Sequence, residues 1–227
     1  RRIMDLDYTP QRIWLEAHFQ DMTDRSGELR LARQQDRLKW LVGLSSFSLD
    51  FATPNGASIG YLYPNAGFPA GFFLNQVVST TYVDTQAVFG SVSYDLTEQW
   101  NLSLEARYQQ DKIDQGKVAN TALRKTYNNF LPRVILQWQP TDATNLYATF
   151  AKGNKPGDFN SNLIPLTPAQ LAEAQAQTGA SLYVGEEELK NYEIGLKQSL
   201  FDRRLQINAA VYFMDWLNQQ TRTTAVI

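Results

Sequence analysis

The stretch Trp100–Gln110, WNLSLEARYQQ, decides the fold. In an extended backbone, Trp100, Leu102, Leu104, Ala106 and Tyr108 fall on one face, and Asn101, Ser103, Glu105, Arg107 and Gln109 on the other. Side chains alternate across a strand with a period of two, so the pattern predicts a strand with one apolar and one polar face. A ring stands at each end of the apolar face, with aliphatic residues between. The same parity recurs in RRLQINAAVYF (203–213), where Leu205, Ile207, Ala209, Val211 and Phe213 oppose Gln206, Asn208, Ala210 and Tyr212. Less regular copies are Leu38/Trp40/Val42/Leu44, Val134/Leu136/Trp138, Leu146/Ala148/Phe150 and Tyr192/Ile194/Leu196. Strands carry most of the chain.

The links between these strands alternate in length. Short links fall at RQQD (33–36), TEQ (97–99), PTDA (140–143) and FDR (201–203). Long links are expected at 51–81, at the polar 112–126 and at 153–187. Such alternation puts every tight turn at one end of a sheet and every long loop at the other. A soluble Greek-key sandwich seldom gives so regular a pattern, whereas short turns on one side and long loops on the other are the rule in a transmembrane barrel. The rings agree. Trp40, Tyr94, Trp100 and Trp138 stand near the turn ends of their strands, and Tyr108, Phe130, Phe150, Tyr192 and Phe213 near the loop ends. Two aromatic girdles around an aliphatic band mark the two membrane–water interfaces. From Trp100 to Tyr108, at about 3.3 Å per residue and a tilt near 40°, the strand rises roughly 20 Å along the membrane normal, close to the height of an apolar band.

Composition narrows the function. Net charge over 227 residues is −2 with both signs interspersed, so no basic field exists to attract nucleic acid. There is no cysteine and one histidine, His18, read as an ordinary strand residue. This removes disulfide scaffolds, Cys/His zinc sites and catalysis built on a second histidine. No resident cofactor is expected. No apolar run reaches about 18 residues, so a membrane-spanning helix is excluded, and the start, RRIMDLDYTP, lacks the apolar segment of a signal peptide.

Five segments, in order, resemble the barrel of TonB-dependent outer-membrane receptors. They are SGELRLA (26–32) with RLKWLVG (37–43), AVFGSVSYDLTEQWNLSLEARY (87–108), LPRVILQWQPTDATNLYATFAKGNKPGDFN (131–160) and EELKNYEIGLKQSLFDRRLQINAAVYFMDW (187–216). The branch it resembles most is that of ferric-siderophore uptake. The resemblance implies an all-β, antiparallel up-and-down transmembrane β-barrel with long extracellular loops, here a partial barrel of about eight strands, in the outer membrane of a Gram-negative bacterium. It also implies outer-membrane lipid around the wall, a plug domain in the lumen, an inner-membrane TonB complex acting through the N-terminus, and a metal chelate or other small ligand. The sequence departs from the family pattern in having no plug, no TonB-box-like start and no final strand ending in an aromatic residue. Residues 1–227 are therefore expected to form one part of a barrel domain. A passive porin and a barrel enzyme are the alternatives.

Candidate ligand contacts follow from the loops. KGNKPG (152–157) continues past Phe150 at the outer rim, where Gly153 and Gly157 permit turns and Pro156 ends ladder pairing. Lys152 and Lys155 are candidates for attracting an anionic chelate, against the commoner role of solvated rim lysines. Tyr61, Tyr63, Phe68, Phe72 and Phe73 crowd the 51–81 loop outside the apolar band and need a partner, whether one another, a neighbouring loop or a ligand. In TPAQLAEAQAQTG (167–179), Thr167 as N-cap, Pro168 at the first helical position, Gln170 closing a capping box and Gly179 as a stop predict a short helix over 168–178. The acidic run Glu186–Glu188 and the polar-face residues Glu105, Arg107, Arg133, Glu193 and Lys197 are read as strand entry and barrel lining, not as an active site.

Overall fold

A computed structural model describes residues 2–5, 14–18, 20–53, 59–62, 79–118, 121–160, 163–164 and 166–221. Eight strands form one antiparallel sheet: β3 (Asp21–Gln35), β4 (Leu38–Thr53), β6 (Ser79–Asp95), β7 (Trp100–Val118), β8 (Thr121–Thr141), β9 (Thr144–Lys155), β10 (Glu187–Leu200) and β11 (Leu205–Leu217). Their spatial order is their chain order, as in an up-and-down barrel wall, with β3 and β11 at opposite edges. The wall is open between them. The short strands β1 (Arg2–Asp5), β2 (Trp14–His18) and β5 (Ile59–Leu62) make a second sheet in which β2 pairs with both of the others. Because β2 precedes β3 and β5 follows β4, this small sheet belongs to the loop end of the β3–β4 hairpin.

Register fixes which residues share a face. One row runs Trp40, Val92, Leu104, Val134, Phe150, Tyr192 and Phe213. The next outward-facing row runs Leu38, Tyr94, Leu102, Leu136, Ala148, Ile194 and Val211. Every alternating segment read from the sequence thus delivers its apolar side to the same face. That face is bare: Val211 is 79 % exposed, Ile194 68 % and Phe213 66 %. A soluble protein would have to bury such a surface, so its natural solvent is lipid hydrocarbon. Paired Trp100 and Trp138 stack with centroids 5.5 Å apart near the turns, and Phe150, Tyr192 and Phe213 follow one another at 5.1 and 6.4 Å near the loops. These are the two girdles.

The opposite face is polar and internally bonded. Asn101 donates to Asp95 at 2.7 Å and to Ser93 at 3.0 Å, Arg133 pairs with Glu105 at 3.5 Å, and the Tyr147 hydroxyl donates to Glu193 at 2.6 Å. Phe89 also points inward, its ring lying against Gly43 with Arg30 and Arg107 at 5.9 and 5.8 Å from its centroid. A Cβ at Gly43 would come within 2.4 Å of that ring, so the glycine makes the seat.

The expected turns are found, with tight links at Asp36–Arg37, 96–99, Asp142–Ala143 and Phe201–Arg204. The expectation of a long link over 112–126 is corrected. Strands β7 and β8 run on through it, paired up to Val118 and Thr121 with one register shift. The 21 residues of β8, at about 3.3 Å each and a tilt near 40°, rise roughly 50 Å, about twice the apolar band. Above the membrane the outward face meets water instead of lipid, so the alternating signature fades while backbone pairing continues. Part of 51–81 is strand as well, since β4 extends to Thr53 and β5 pairs with β2. The expected helix is α1 (Pro168–Thr178), with the Thr167 side chain and Gln170 forming the capping box and Gly179 closing it at φ 67°.

Candidate functional site at the inner rim

Inward parity persists into the part of β7 and β8 above the outer girdle. There Asp111, Ile113, Leu123, Lys125, Tyr127 and Asn129 continue the polar-side rows of Arg107, Leu131 and Arg133. The segment 156–186 leaves β9, carries α1 and returns to β10 by folding against this wall. Its Phe159, with Ile164 and Leu182, packs on Ile113, Leu123 and Tyr127, forming a compact apolar cluster on the lumen side. Main-chain bonds from Asn160 to Leu182 and from Val184 to Asp158, both 2.9 Å, pin the neck of the loop.

Gly157 decides how closely the neck docks. A Cβ there would lie 2.2 Å from the Val184 carbonyl and 2.3 Å from the Tyr127 hydroxyl, so only glycine permits the approach. Tyr127 donates to the Val184 carbonyl at 3.4 Å. Burial pushes its phenol above the ordinary range, and the nearby carboxylates of Glu186 and Asp158 add to the shift. Asn129 donates to Glu186 at 2.5 Å.

Lys125 carries the cation of the site, with its ammonium 5.3 Å from the centroids of both Tyr127 and Tyr183. Two ring faces hold the charge at the mouth of the lumen without neutralising it as a carboxylate would. Deeper on the wall, Asp111 is 2 % exposed and accepts from Thr85 at 2.7 Å and from the Gln109 amide at 2.9 and 3.0 Å. Neutral donors satisfy this carboxylate. The arrangement can present one fixed cation, the exposed ring of Tyr183 and the amides of Gln109 and Asn129 to a ligand entering from outside.

The two candidate lysines lie on opposite faces, as an odd separation along one strand requires. Lys152 is outward, above the girdle, bonded to Glu188 at 2.6 Å with Lys190 on the same carboxylate at 3.0 Å. Lys155 is inward and bonded to Glu187 at 3.1 Å, its side chain 60 % exposed. Tyr61 lies in β5 opposite Leu15, and its side chain is outside the described residues, as are Tyr63, Phe68, Phe72 and Phe73 altogether. Sequence reading missed Lys125, Tyr127, Phe159 and Tyr183. The signal is present for Lys125 and Tyr127, which keep the parity of Leu131 and Arg133, but the polar composition of 112–126 predicts a link. Two surface depressions, about 750 and 520 Å³, are lined chiefly by outward-facing residues such as Leu29, Leu44, Val88 and Tyr108, or Leu136, Phe150, Ile194 and Val211. Both open toward the lipid side of the wall.

An open, up-and-down wall with two girdles, a polar lumen face and a loop folded over its outer end defines the wall of an outer-membrane barrel. Residues 5–227 match the family model described as "TonB dependent receptor-like, beta-barrel", and the chain belongs to that family. Its place is the outer membrane, and its scaffold is the β-barrel of that family. Among solved structures it is similar to the ferric yersiniabactin uptake receptor FyuA from Yersinia pestis, with 18 % identity and a TM-score of 0.64 over 94 % of this chain and 32 % of that one. It is similar also to the unliganded ferric citrate transporter FecA, at 17 % identity and a TM-score of 0.64 over 94 % of this chain and 31 % of that one. The copper transporter OprC gives 15 % identity and a TM-score of 0.61 over 91 % of this chain and 31 % of that one. At these identities the likeness is one of fold, and the chain spans about a third of the length of each structure.

Proposed function

We propose that this chain supplies part of the wall and extracellular rim of a receptor that takes up a scarce ligand by TonB-dependent, energy-coupled transport, and that the ligand is a ferric siderophore. The observation that carries the reading is Lys125, held between Tyr127 and Tyr183 at the inner rim beneath a docked loop. Ferric chelates of this class are commonly anionic and rich in flat, polarisable groups, which a fixed cation with ring faces beside it suits. The ferric ligands named for two of the structural neighbours support this class, and the copper transporter is the competing case. In this reading lipid surrounds the outer face, a plug domain meets the polar inner face, and the TonB complex acts through the plug. The barrel domain includes residues 1–227. Tyr61, Tyr63, Phe68, Phe72, Phe73 and Lys155 join Lys125 as ligand contacts, while outward-facing Lys152 serves the membrane interface.

The test is iron-limited growth and radiolabelled ferric-chelate binding with the full-length receptor. Lys125→Ala should weaken binding about tenfold, as expected for loss of a desolvated charge contact. Deleting the energy transducer should abolish uptake but leave surface binding intact. Uptake that persists without the transducer would mean a passive pore.

A further inference from the structure

The neck of the 156–186 loop is fastened by a residue outside the loop. Gln220 lies beyond the end of β11, past Asn218, which turns the chain with φ 55°. Its side-chain amide donates to the Pro156 carbonyl at 3.0 Å and the Gly185 carbonyl at 2.9 Å, the two chain segments that enter and leave the loop. An amide nitrogen has two hydrogens, and here each has one strand of the neck. The backbone N–H of Gln220 donates to Glu187 at 2.9 Å. That carboxylate, only 6 % exposed, also accepts from Lys155 at 3.1 Å and from the Trp216 indole at 2.9 Å. One buried acid therefore ties together the end of β9, the start of β10, the end of β11 and the segment beyond it.

We infer that Gln220 and Glu187 form a latch that holds the 156–186 loop docked over the inner rim, so that this loop and the segment leaving β11 open and close as one unit. Among the described residues the neck's own main-chain pairing is the bridge around Phe159 and Tyr183, and no main-chain bond joins Pro156 to Gly185. Gln220 fills that gap. Two neighbouring extracellular segments are thereby coupled through one side chain, and its release loosens the neck of the loop. The consequence for access to the lumen rests on the receptor reading, but the latch itself needs no ligand.

Hydrogen–deuterium exchange on the detergent-solubilised full-length receptor tests it without ligand, so failure of the receptor reading leaves the result interpretable. Gln220→Ala removes the two neck bonds and keeps the backbone bond to Glu187. Exchange across 156–186, including the Asn160 and Val184 amides, should accelerate severalfold to about tenfold, while the Trp100–Gln110 strand stays unchanged as the control for folding. Gln220→Glu, equal in size but without a donor, should do at least as much. Coupling must be reciprocal: Phe159→Ala, which undocks the loop, should accelerate exchange at 218–221. Unchanged exchange in the loop of both Gln220 variants, or acceleration there with no reciprocal effect of Phe159→Ala, overturns the latch.

Discussion

Adjacent residues in this chain live in different solvents, and that is the basis of the residue-scale predictions. Leu104 is outward, 48 % exposed between Val92 and Val134, while Glu105 is inward and paired with Arg133. Leu104→Arg in the full-length barrel should cost about 2–4 kcal/mol, because the charge is forced into hydrocarbon. Glu105→Arg should be far milder, since it only reverses one member of a water-accessible pair. Urea unfolding in lipid vesicles measures both, and equal costs would reverse the face assignment. Glu187 supplies a pH signature. The Gln220 backbone N–H, with Lys155 and Trp216, holds its carboxyl below the ordinary range against the opposing effect of burial. A carboxyl whose folded pKa is lowered stabilises the fold above its ordinary value, about 4.3, and that stabilisation is lost as pH falls through the lowered one. Exchange protection of the 156–186 neck, assayed by partial labelling at matched chemical exchange, should therefore hold at neutral pH and fail in acid. Glu187→Gln should remove most of that pH dependence.

Elements differ in how much of themselves they write into the sequence. Within the apolar band every strand meets lipid on one side and the lumen on the other, so Trp100–Tyr108 and Leu205–Phe213 carry a period of two that can be read directly. The α1 helix was equally legible, because Thr167, Pro168, Gln170 and Gly179 satisfy its free backbone ends by local chemistry. The β7–β8 ribbon above the membrane was not, since cross-strand partners such as Asp114 and Arg124 are polar and their pairing is nonlocal. The inner-rim cluster failed to show for the same reason: Phe159 and Leu182 meet Tyr127 only through the loop's return path. Gly157 gives this element its sharpest test. Gly157→Ala places a methyl against the fixed Val184 carbonyl, which cannot swing aside as a side-chain tip would. Loop 156–186 should undock, seen as faster proteolysis within it on whole cells, while the girdle strands keep their far-ultraviolet signature. Unaltered cleavage would mean that the neck relaxes around the methyl.

At the scale of the whole molecule the decisive feature is the gap between the two edge strands. Eight strands curved to the radius of a larger barrel cannot meet, because strand number, tilt and stagger fix the diameter together. The β3 edge and the β11 edge accordingly stand at opposite ends of the sheet, each with a ladder unpaired among the described residues, and outward residues such as Leu29, Leu31, Val211 and Phe213 lie bare beside them. In a bilayer, unpaired backbone groups at an open edge cost several kcal/mol each, so neighbouring strands of a longer barrel are the stable partners. The 227-residue chain refolded alone into detergent should then aggregate or associate edge to edge instead of forming a monomeric barrel. Cysteine pairs read this out directly, since the chain has no cysteine of its own. Leu29→Cys with Leu44→Cys, directly opposed across β3 and β4, should cross-link readily within one chain. Leu29→Cys with Val211→Cys, on the two edges, should cross-link only between chains, with a yield that falls on dilution. A concentration-independent link between positions 29 and 211 within one chain would mean that the sheet closes on itself as a small barrel, and the place of this wall within a larger receptor would have to be abandoned.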